Sequence, residues 1–575
     1  MAIATLRTFS DHEVRPLESL DGRWQFITAE QRSDEGALPQ TYDHSIQVPS
    51  CWQLLPGLET YRGRAWYRTT FEVEIPGPVR LVFGGVAHHA EVYVDGDLLG
   101  SHYDAYTPFA LVAAHLEEGE HELVLSVDNS FGPASALHIP NDYYSYGGIT
   151  RPTAVEFIDH TFIEYLHATP KRSRGQWALD VQVRVRNCSQ EALTRQVLVA
   201  MEGVVVDLGT VSIAAESSVE LSGSITKLPV QEWTAEHPNL YAVAAFVRDG
   251  EDVVDDLIDR VGFREVRVRG KRLLLNGAPL RLRGFNRHES HACFGSALPL
   301  QAMAQDLEII RSSGANFVRT SHYPNDQRFL DVCDELGIYV WEESHARNIP
   351  FDAPAYAEQM ATNTEEMVDW HFNHPSIIMW GCLNECDSES AEGAKEHERM
   401  LRILRQRDGS RPVTFASNKQ DNDVALHLVD IVSWNLYPGW YGGGPENVEP
   451  TLKRLLAWLH HKDGRSGARG KPVILSEFGG GALYGCRQRE AGKWSEDYQA
   501  QLIDECLRVY LNHPDLVGAA IWQFCDCRVD AEWGLQRPRA HNNKGMVDEY
   551  RRPKLAWDVV CKHFQGAAEG PSGRD

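Results

Sequence analysis

Carboxylates and amides recur in this chain of 575 residues at the ends of short apolar runs. That placement puts them on a rim and not inside a core. Glu385 closes the run 377–385, and Glu477 lies near the end of 472–478. Glu289, Glu342, Glu343 and Asp526 stand at comparable positions. Two carboxylates facing each other across a glycosidic bond can hydrolyse it. One donates a proton to the leaving oxygen, and the other attacks the anomeric carbon or activates water. Glu385 and Glu477 form one such candidate pair. By residue pattern alone several rim glutamates qualify, and any single one can be structural.

Other chemistries find less support. No GxSxG elbow marks a serine nucleophile. The glycine-rich stretches 442–444 and 479–481 match neither a P-loop nor a dinucleotide fingerprint and read as turns. Cys382/Cys386 and Cys525/Cys527 lack a second pair at zinc-ribbon spacing. His88/His89 and His288/His291 are equally weak as ligands, because the segment around the latter reads HESH and not HExxH. No metal and no cofactor is expected.

The positioning elements follow from periodicity. Residues 1–160 carry short alternating or β-branched runs such as 79–83, 90–94 and 121–127, with a hairpin signal at Asp95-Gly96. They predict a β-sandwich. Residues 161–262 contain the strictly alternating run 179–185 and further strands near 196–201, 217–221 and 240–247. These predict an immunoglobulin-like β-sandwich, joined to the first domain around 169–174. From 263 to 575 apolar strands alternate with amphipathic helical stretches at 302–311, 358–372 and 498–511. Eight strands are read, at 281–286, 316–322, 338–343, 377–385, 412–417, 431–437, 472–478 and 518–526. Such βα alternation predicts a (β/α)8 TIM barrel, whose active site lies at the C-terminal ends of its strands. The connection between the fifth and sixth strands is the least regular.

Composition narrows the partners. The formal net charge is −25, which disfavours nucleic acid and anionic membrane surfaces. No apolar run approaches the ~20 residues of a membrane span, and residues 1–16 have no signal-peptide apolar region. Eleven cysteines, an odd number, fit a reducing compartment better than a disulfide framework. A cytoplasmic location is the expectation, unless a leader has been trimmed.

Particular motifs narrow the reading further. Trp380-Gly-Cys-Leu-Asn384-Glu385 and Ile474-Leu-Ser-Glu477-Phe-Gly479 resemble the acid/base and nucleophile motifs of glycoside hydrolase family 2, which contains β-glucuronidases and β-galactosidases. Gly284-Phe-Asn-Arg-His-Glu289 and Val318-Arg-Thr-Ser-His-Tyr-Pro324 resemble two further barrel signatures of that family. Val92-Tyr-Val-Asp-Gly96 with Tyr106-Thr-Pro-Phe109 is similar to the family's N-terminal domain, which implies that the sandwich of residues 1–160 is a β jelly roll. The resemblance covers nearly the whole chain in order. It implies a retaining mechanism, with Glu477 as nucleophile, Glu385 as acid and then base, and Asn384 on the sugar 2-hydroxyl. His322 and Trp522 would shape the pocket, although Trp522 can equally be barrel packing. Arg287 or Tyr437 would keep Glu477 ionised. The family's galactosidase branch uses Mg²⁺ and its uronidase branch does not, and relatives are commonly homo-oligomers.

After the eighth strand, Asn542-Asn543-Lys544-Gly545 resembles the Asn-x-Lys motif by which family uronidases hold the sugar carboxylate. Arg539 is a candidate assistant, at an offset that departs from the common pattern. Residues 435–441, with Tyr437 and Tyr441, resemble the tyrosine-bearing loop of β-glucuronidases. Residues 141–149 resemble the segment that lends an aspartate, here Asp142, to the sugar. A β-glucuronide substrate is therefore expected, with a β-galacturonide as the alternative. A neutral β-galactoside or a non-catalytic sugar-binding role leaves Lys544 or the paired glutamates unexplained. His345 and Arg347 depart from the small or apolar residues of β-glucuronidases at this place. Arg347 either pairs with a carboxylate such as Asp352 or reads the hydroxyl at sugar C4. The segment 343–354 is short, where some family members carry an inserted loop, which implies an open mouth.

Overall fold

A computed structural model describes residues 6–31 and 38–569. Residues 1–5, 32–37 and 570–575, which the limits 1–160 and 263–575 include, lie outside the described residues.

The first domain is a sandwich of two antiparallel sheets. One has four strands in the order Leu17–Ser19, Thr153–Phe157, Gly77–Phe83, Phe109–Leu116. The other has six, in the order His44–Val48, Gly22–Thr28, Arg64–Val73, Gly119–Asp128, His89–Val94, Asp97–Tyr103. Trp24, Phe26, Leu81, Phe83, Leu123 and Leu125 close the space between them. The hairpin expected at Asp95-Gly96 is present, with both residues at positive φ (52° and 91°), as a twist-matched two-residue turn requires.

The second domain packs a three-stranded sheet (Thr161–Ser173, Gln176–Asn187, Ser217–Leu228) on a four-stranded one (Val204–Ile213, Leu193–Met201, Tyr241–Asp249, Asp252–Val261). Alternation dictates which side chains meet. Leu179, Val181, Val183 and Val185 are buried, while Asp180, Gln182 and Arg184 between them face solvent. The stretch 169–174 is not a joint. Thr169 to Ser173 continue one strand paired with Gln176–Asn187, and the chain reverses at Arg174-Gly175, both at positive φ.

The third domain is a parallel barrel. Its strands are β1 (Leu282–Arg287), β2 (Phe317–Thr320), β3 (Tyr339–Glu343), β4 (Ile377–Gly381), β5 (Val413–Thr414 and Ala416–Ser417), β6 (Val432–Asn435), β7 (Val473–Glu477) and β8 (Leu516–Ile521). β8 pairs with β1, and the two halves of β5 pair with β4 and β6 respectively, so the ring is interrupted only at Phe415. Helices such as Leu300–Ser312, Tyr356–His371 and Glu496–Tyr510 cover it with buried apolar faces. Between β5 and β6 the described chain forms only a 3-10 turn, Gln420–Asn422. β4 and β8 end earlier than periodicity indicates, at Gly381 and Ile521. The residues beyond them leave the ladder to build the rim.

The first domain docks on that rim. The Asp530 carboxylate accepts from the backbone N–H of Asn141 and Ser145 and pairs with Arg62. Arg151 pairs with Glu289, and Tyr106 stacks on Tyr323 at 3.8 Å. All eleven cysteines are free thiols. No helix among the described residues is long and apolar enough to cross a membrane.

Candidate active site

Beyond β4 the chain leaves strand geometry: Leu383 and Glu385 adopt positive φ, 52° and 53°. For residues with a Cβ this costs about 1 kcal/mol each. Neighbouring strand ends hold the conformation. Asn384 N–H donates to Ala346 O, and Glu385 N–H donates to Ala416 O. Glu385 is thereby presented on the rim, where Asn435 Nδ2 donates to its Oε1 at 2.9 Å.

Glu477 ends β7 and is registered opposite Asn435 on β6. Its Oε1 accepts from Arg319 Nη1 at 2.9 Å, and its Oε2 from the Tyr437 hydroxyl at 2.6 Å. Arg319 is the hub of the site. Fully buried on β2, it also donates to both oxygens of Glu343, to Asn286 and to Asn384 Oδ1. Its guanidinium lies 4.7 Å over the Trp341 ring. A Cβ at Gly381 would fall 2.1 Å from Trp341 Nε1, so glycine there lets β4 lie flush against that ring.

Arg287 does not reach Glu477. As the residue after Asn286 on β1 it points to the opposite side of the strand, where it pairs with Asp306 and Asn325. Arg319 takes the expected role. It stands inside the quoted Val318 motif, but nothing in that motif marks its direction.

Burial pushes the Glu477 carboxyl up to about 7, and the charge of Glu385 adds to this; Arg319 and Tyr437 oppose it. Burial and Arg319 hold His322 well below its usual value, so it is neutral. Its Nδ1 lies 2.9 Å from Glu343 Oε1, its Nε2 3.9 Å from Glu477 Oε1, and its ring stacks beneath Trp522 at 4.8 Å.

A cavity of about 680 Å³ opens above this network. Glu385, Asn435, Tyr437 and Glu477 stand in its middle, and Asp142, Arg347, Trp522 and Lys544 line one end. Asp142, from the first domain, pairs with Arg347 (3.1 Å) and Arg537 (3.2 Å) and accepts from Asn542 Nδ2 (3.2 Å). Burial raises its carboxyl, but Arg347, Lys544 and Arg537 outweigh that and bring it to about 2. Lys544 is 3% exposed. Its ammonium lies 5.8 and 5.5 Å from the rings of Tyr437 and Tyr441 and makes no hydrogen bond or ion pair among the described residues.

The sequence candidates thus divide. Asp142, Arg347, Glu385, Tyr437, Tyr441, Glu477, Trp522 and Lys544 line one cavity. His322, Asn384 and Asn542 are buried behind it, and the Asn384 Nδ2 and Asn542 Oδ1 atoms lack partners. Arg539 stands apart: its guanidinium pairs with Glu549, and its backbone takes a positive φ of 62°. Arg347 pairs with Asp142 and not with Asp352, because the first domain inserts Asp142 beside it. Arg537 is the cation that sequence reasoning missed. It lies two residues from Arg539 and differs only in direction.

Two buried groups have metal-ligand composition, Asp104/His138/His345 and Asp331/Asp334/His374. Protein groups already engage them. Asp104 accepts from Tyr106 N–H and lies 3.2 Å from His345 Nδ1. Asp331 pairs with Arg7, and Asp334 with His374 and Ser376 N–H. Both read as internal ion networks.

Comparison with known proteins matches three family models in order: the sugar-binding domain of glycosyl hydrolases family 2 over residues 17–157, the family 2 model over 161–264, and the family's TIM barrel domain over 266–567. A putative β-glucuronidase of Formosa agariphila is 30% identical, over 96% of this chain and 70% of the relative. A β-glucuronidase of Streptococcus agalactiae is 27% identical, over 96% of each. Among solved structures, a family 2 β-galacturonidase from Eisenbergiella tayi bound to galacturonate is 42% identical with a TM-score of 0.92, covering 98% of this chain and 99% of that one.

Proposed function

The chain belongs to family 2 of the glycosyl hydrolases, and from that premise we propose that it is a retaining exo-β-hexuronidase, with a terminal β-D-glucuronide as substrate. One observation carries the acid sugar. Lys544 is buried in the same cavity as Glu385 and Glu477, its ammonium makes no hydrogen bond or close ion pair among the described residues, and the Asp142 carboxylate whose field it shares is already paired with Arg347 and Arg537. Burying a charge without a partner is costly, and a ligand carboxylate removes that cost. Together with Arg347 and Arg537, three cations face the single carboxylate of Asp142 at this end.

In the first step a Glu477 oxygen attacks the anomeric carbon while the bond to the leaving oxygen breaks. Glu385 passes its proton to that oxygen. In the second step Glu385 takes a proton from water, the water oxygen attacks the anomeric carbon, and the Glu477 ester is released with retained configuration. Glu477 accepts from a guanidinium and a hydroxyl, which favour the charged form that attack requires, whereas Glu385 accepts one neutral amide hydrogen bond. The Asn384 Nδ2 group, buried without a partner, is the donor for the sugar 2-hydroxyl.

A β-galacturonide is the second reading. Arg347 lines the cavity, its donors suit an axial hydroxyl at C4, and the Eisenbergiella tayi structure similar to this chain is a β-galacturonidase. A panel of 4-nitrophenyl β-glycosides on purified protein tests both. Turnover of a uronide with little on neutral hexosides is expected, and a preference for a neutral hexoside would overturn the uronide reading. Eleven free thiols support a reducing, cytoplasmic location. The expected homo-oligomer is checked by light scattering.

A further inference from the structure

The cavity extends past the reacting carboxylates. Beyond Glu385 it is lined by Asn418, Gln420, Asn447, Thr451 and Arg454. These residues come from the connection after β5 and from the helix Val448–Leu459 after β6. β5 is the neighbour of β4, whose end leads to Glu385, so this end lies on the acid's side of the scissile bond. The two ends differ in closure. Asp142, Trp522 and Lys544 are 4%, 3% and 3% exposed, whereas Asn418 is exposed and Thr451 half-buried. A pocket shut at one end takes the terminal sugar there, and the leaving group must occupy the open end. Ligand pockets of ~300–1,000 Å³ hold drug-sized molecules, so about 680 Å³ exceeds the need of one sugar ring.

The chemistry of the open end is neutral and hydrogen-bonding. The Arg454 guanidinium is already spent on Asp421 (2.8 Å) and on Gln420 Oε1 (2.9 Å). The Asn418 amide and Thr451 hydroxyl make no side-chain hydrogen bond among the described residues. Amides and a hydroxyl match sugar hydroxyls. We propose that this end is a leaving-group subsite for a neutral, hydroxyl-rich sugar residue, so that the enzyme removes terminal uronic acid from saccharide chains in preference to flat aromatic conjugates.

The proposal rests on the uronide reading, and the test keeps the two apart. kcat/KM is measured for a disaccharide of β-linked uronic acid on a neutral hexose and for the 4-nitrophenyl β-uronide. Both are measured on the wild type and on an Asn418→Ala, Thr451→Val double variant. The ratio of the two values does not depend on the fraction of folded enzyme. Loss of two hydrogen bonds should lower the disaccharide-to-nitrophenyl ratio about 10-fold or more. An unchanged ratio overturns the subsite, as does a wild type that prefers an acidic second residue over the neutral hexose. Failure to hydrolyse the nitrophenyl uronide in the first place sinks the uronide reading, and the subsite with it.

Discussion

At the closed end of the cavity Asp142, Trp522 and Lys544 are almost fully buried, and charge is concentrated there. At the open end Asn418 and Thr451 meet solvent and carry no charge. The contrast follows from how each end is built. Three elements converge on the closed end: the first domain's segment around Asp142, the turn after β3 and the chain after β8. Little of these side chains meets solvent, and a charge there is worth more than on the surface. The open end rests on one loop and one helix face. Specificity for the sugar should therefore be strong and electrostatic, and specificity for the leaving group modest and additive.

The junction of the two ends offers the largest break. Glu477→Gln should lower kcat by at least about 10⁴-fold on every uronide, because a group acting as a unit with its partner is lost. Glu385→Gln should depend on the leaving group, with a mild loss on 4-nitrophenyl substrates and a severe one on alkyl or sugar leaving groups. Equal losses across leaving groups of different pKa would remove Glu385 as the acid. At the closed end, Lys544→Ala should cost ~2–4 kcal/mol, roughly 30- to 1000-fold in kcat/KM. Near-normal uronide turnover in that variant would mean that the carboxylate is held elsewhere.

Arg347→Ala sharpens the comparison within the closed end. If its guanidinium reads C4, galacturonide hydrolysis should fall about 10-fold relative to glucuronide hydrolysis, since an unpaired or missing donor discriminates more than shape. An unchanged ratio leaves Arg347 as a support for Asp142. The smallest expected effect is on pH. With the Glu477 carboxyl pushed up to about 7, kcat/KM should rise as pH rises through that value, because attack needs Glu477 ionised. A profile that is flat through that value would contradict the raised Glu477 carboxyl.

The difference between two buried arginines shows where sequence reasoning stopped. Arg287 and Arg319 sit near the ends of adjacent strands, and both are fully buried. One serves Asp306 on a covering helix, and the other serves Glu477. A one-residue change in pleat phase reverses a side chain, and nothing local reveals that phase in strands apolar on both faces. Arg539 stands apart for a different reason: it sits in a 3-10 turn at positive φ, while Arg537, just before that turn, points inward to Asp142.

Periodicity and turn chemistry by themselves determined the two sandwiches and the barrel, because alternation of 2 and 3.6 residues is written locally. The motifs around Asn384-Glu385 and Glu477 were legible for a similar reason: a strand end carries its rim residues in short, contiguous runs. Only the tertiary structure decided which cations face the cavity. It also decided that Asp142 crosses from the first domain to meet Arg347, and that Lys544 is buried with no hydrogen bond among the described residues. Those outcomes depend on packing between segments up to 400 residues apart, whose relative placement no local pattern encodes.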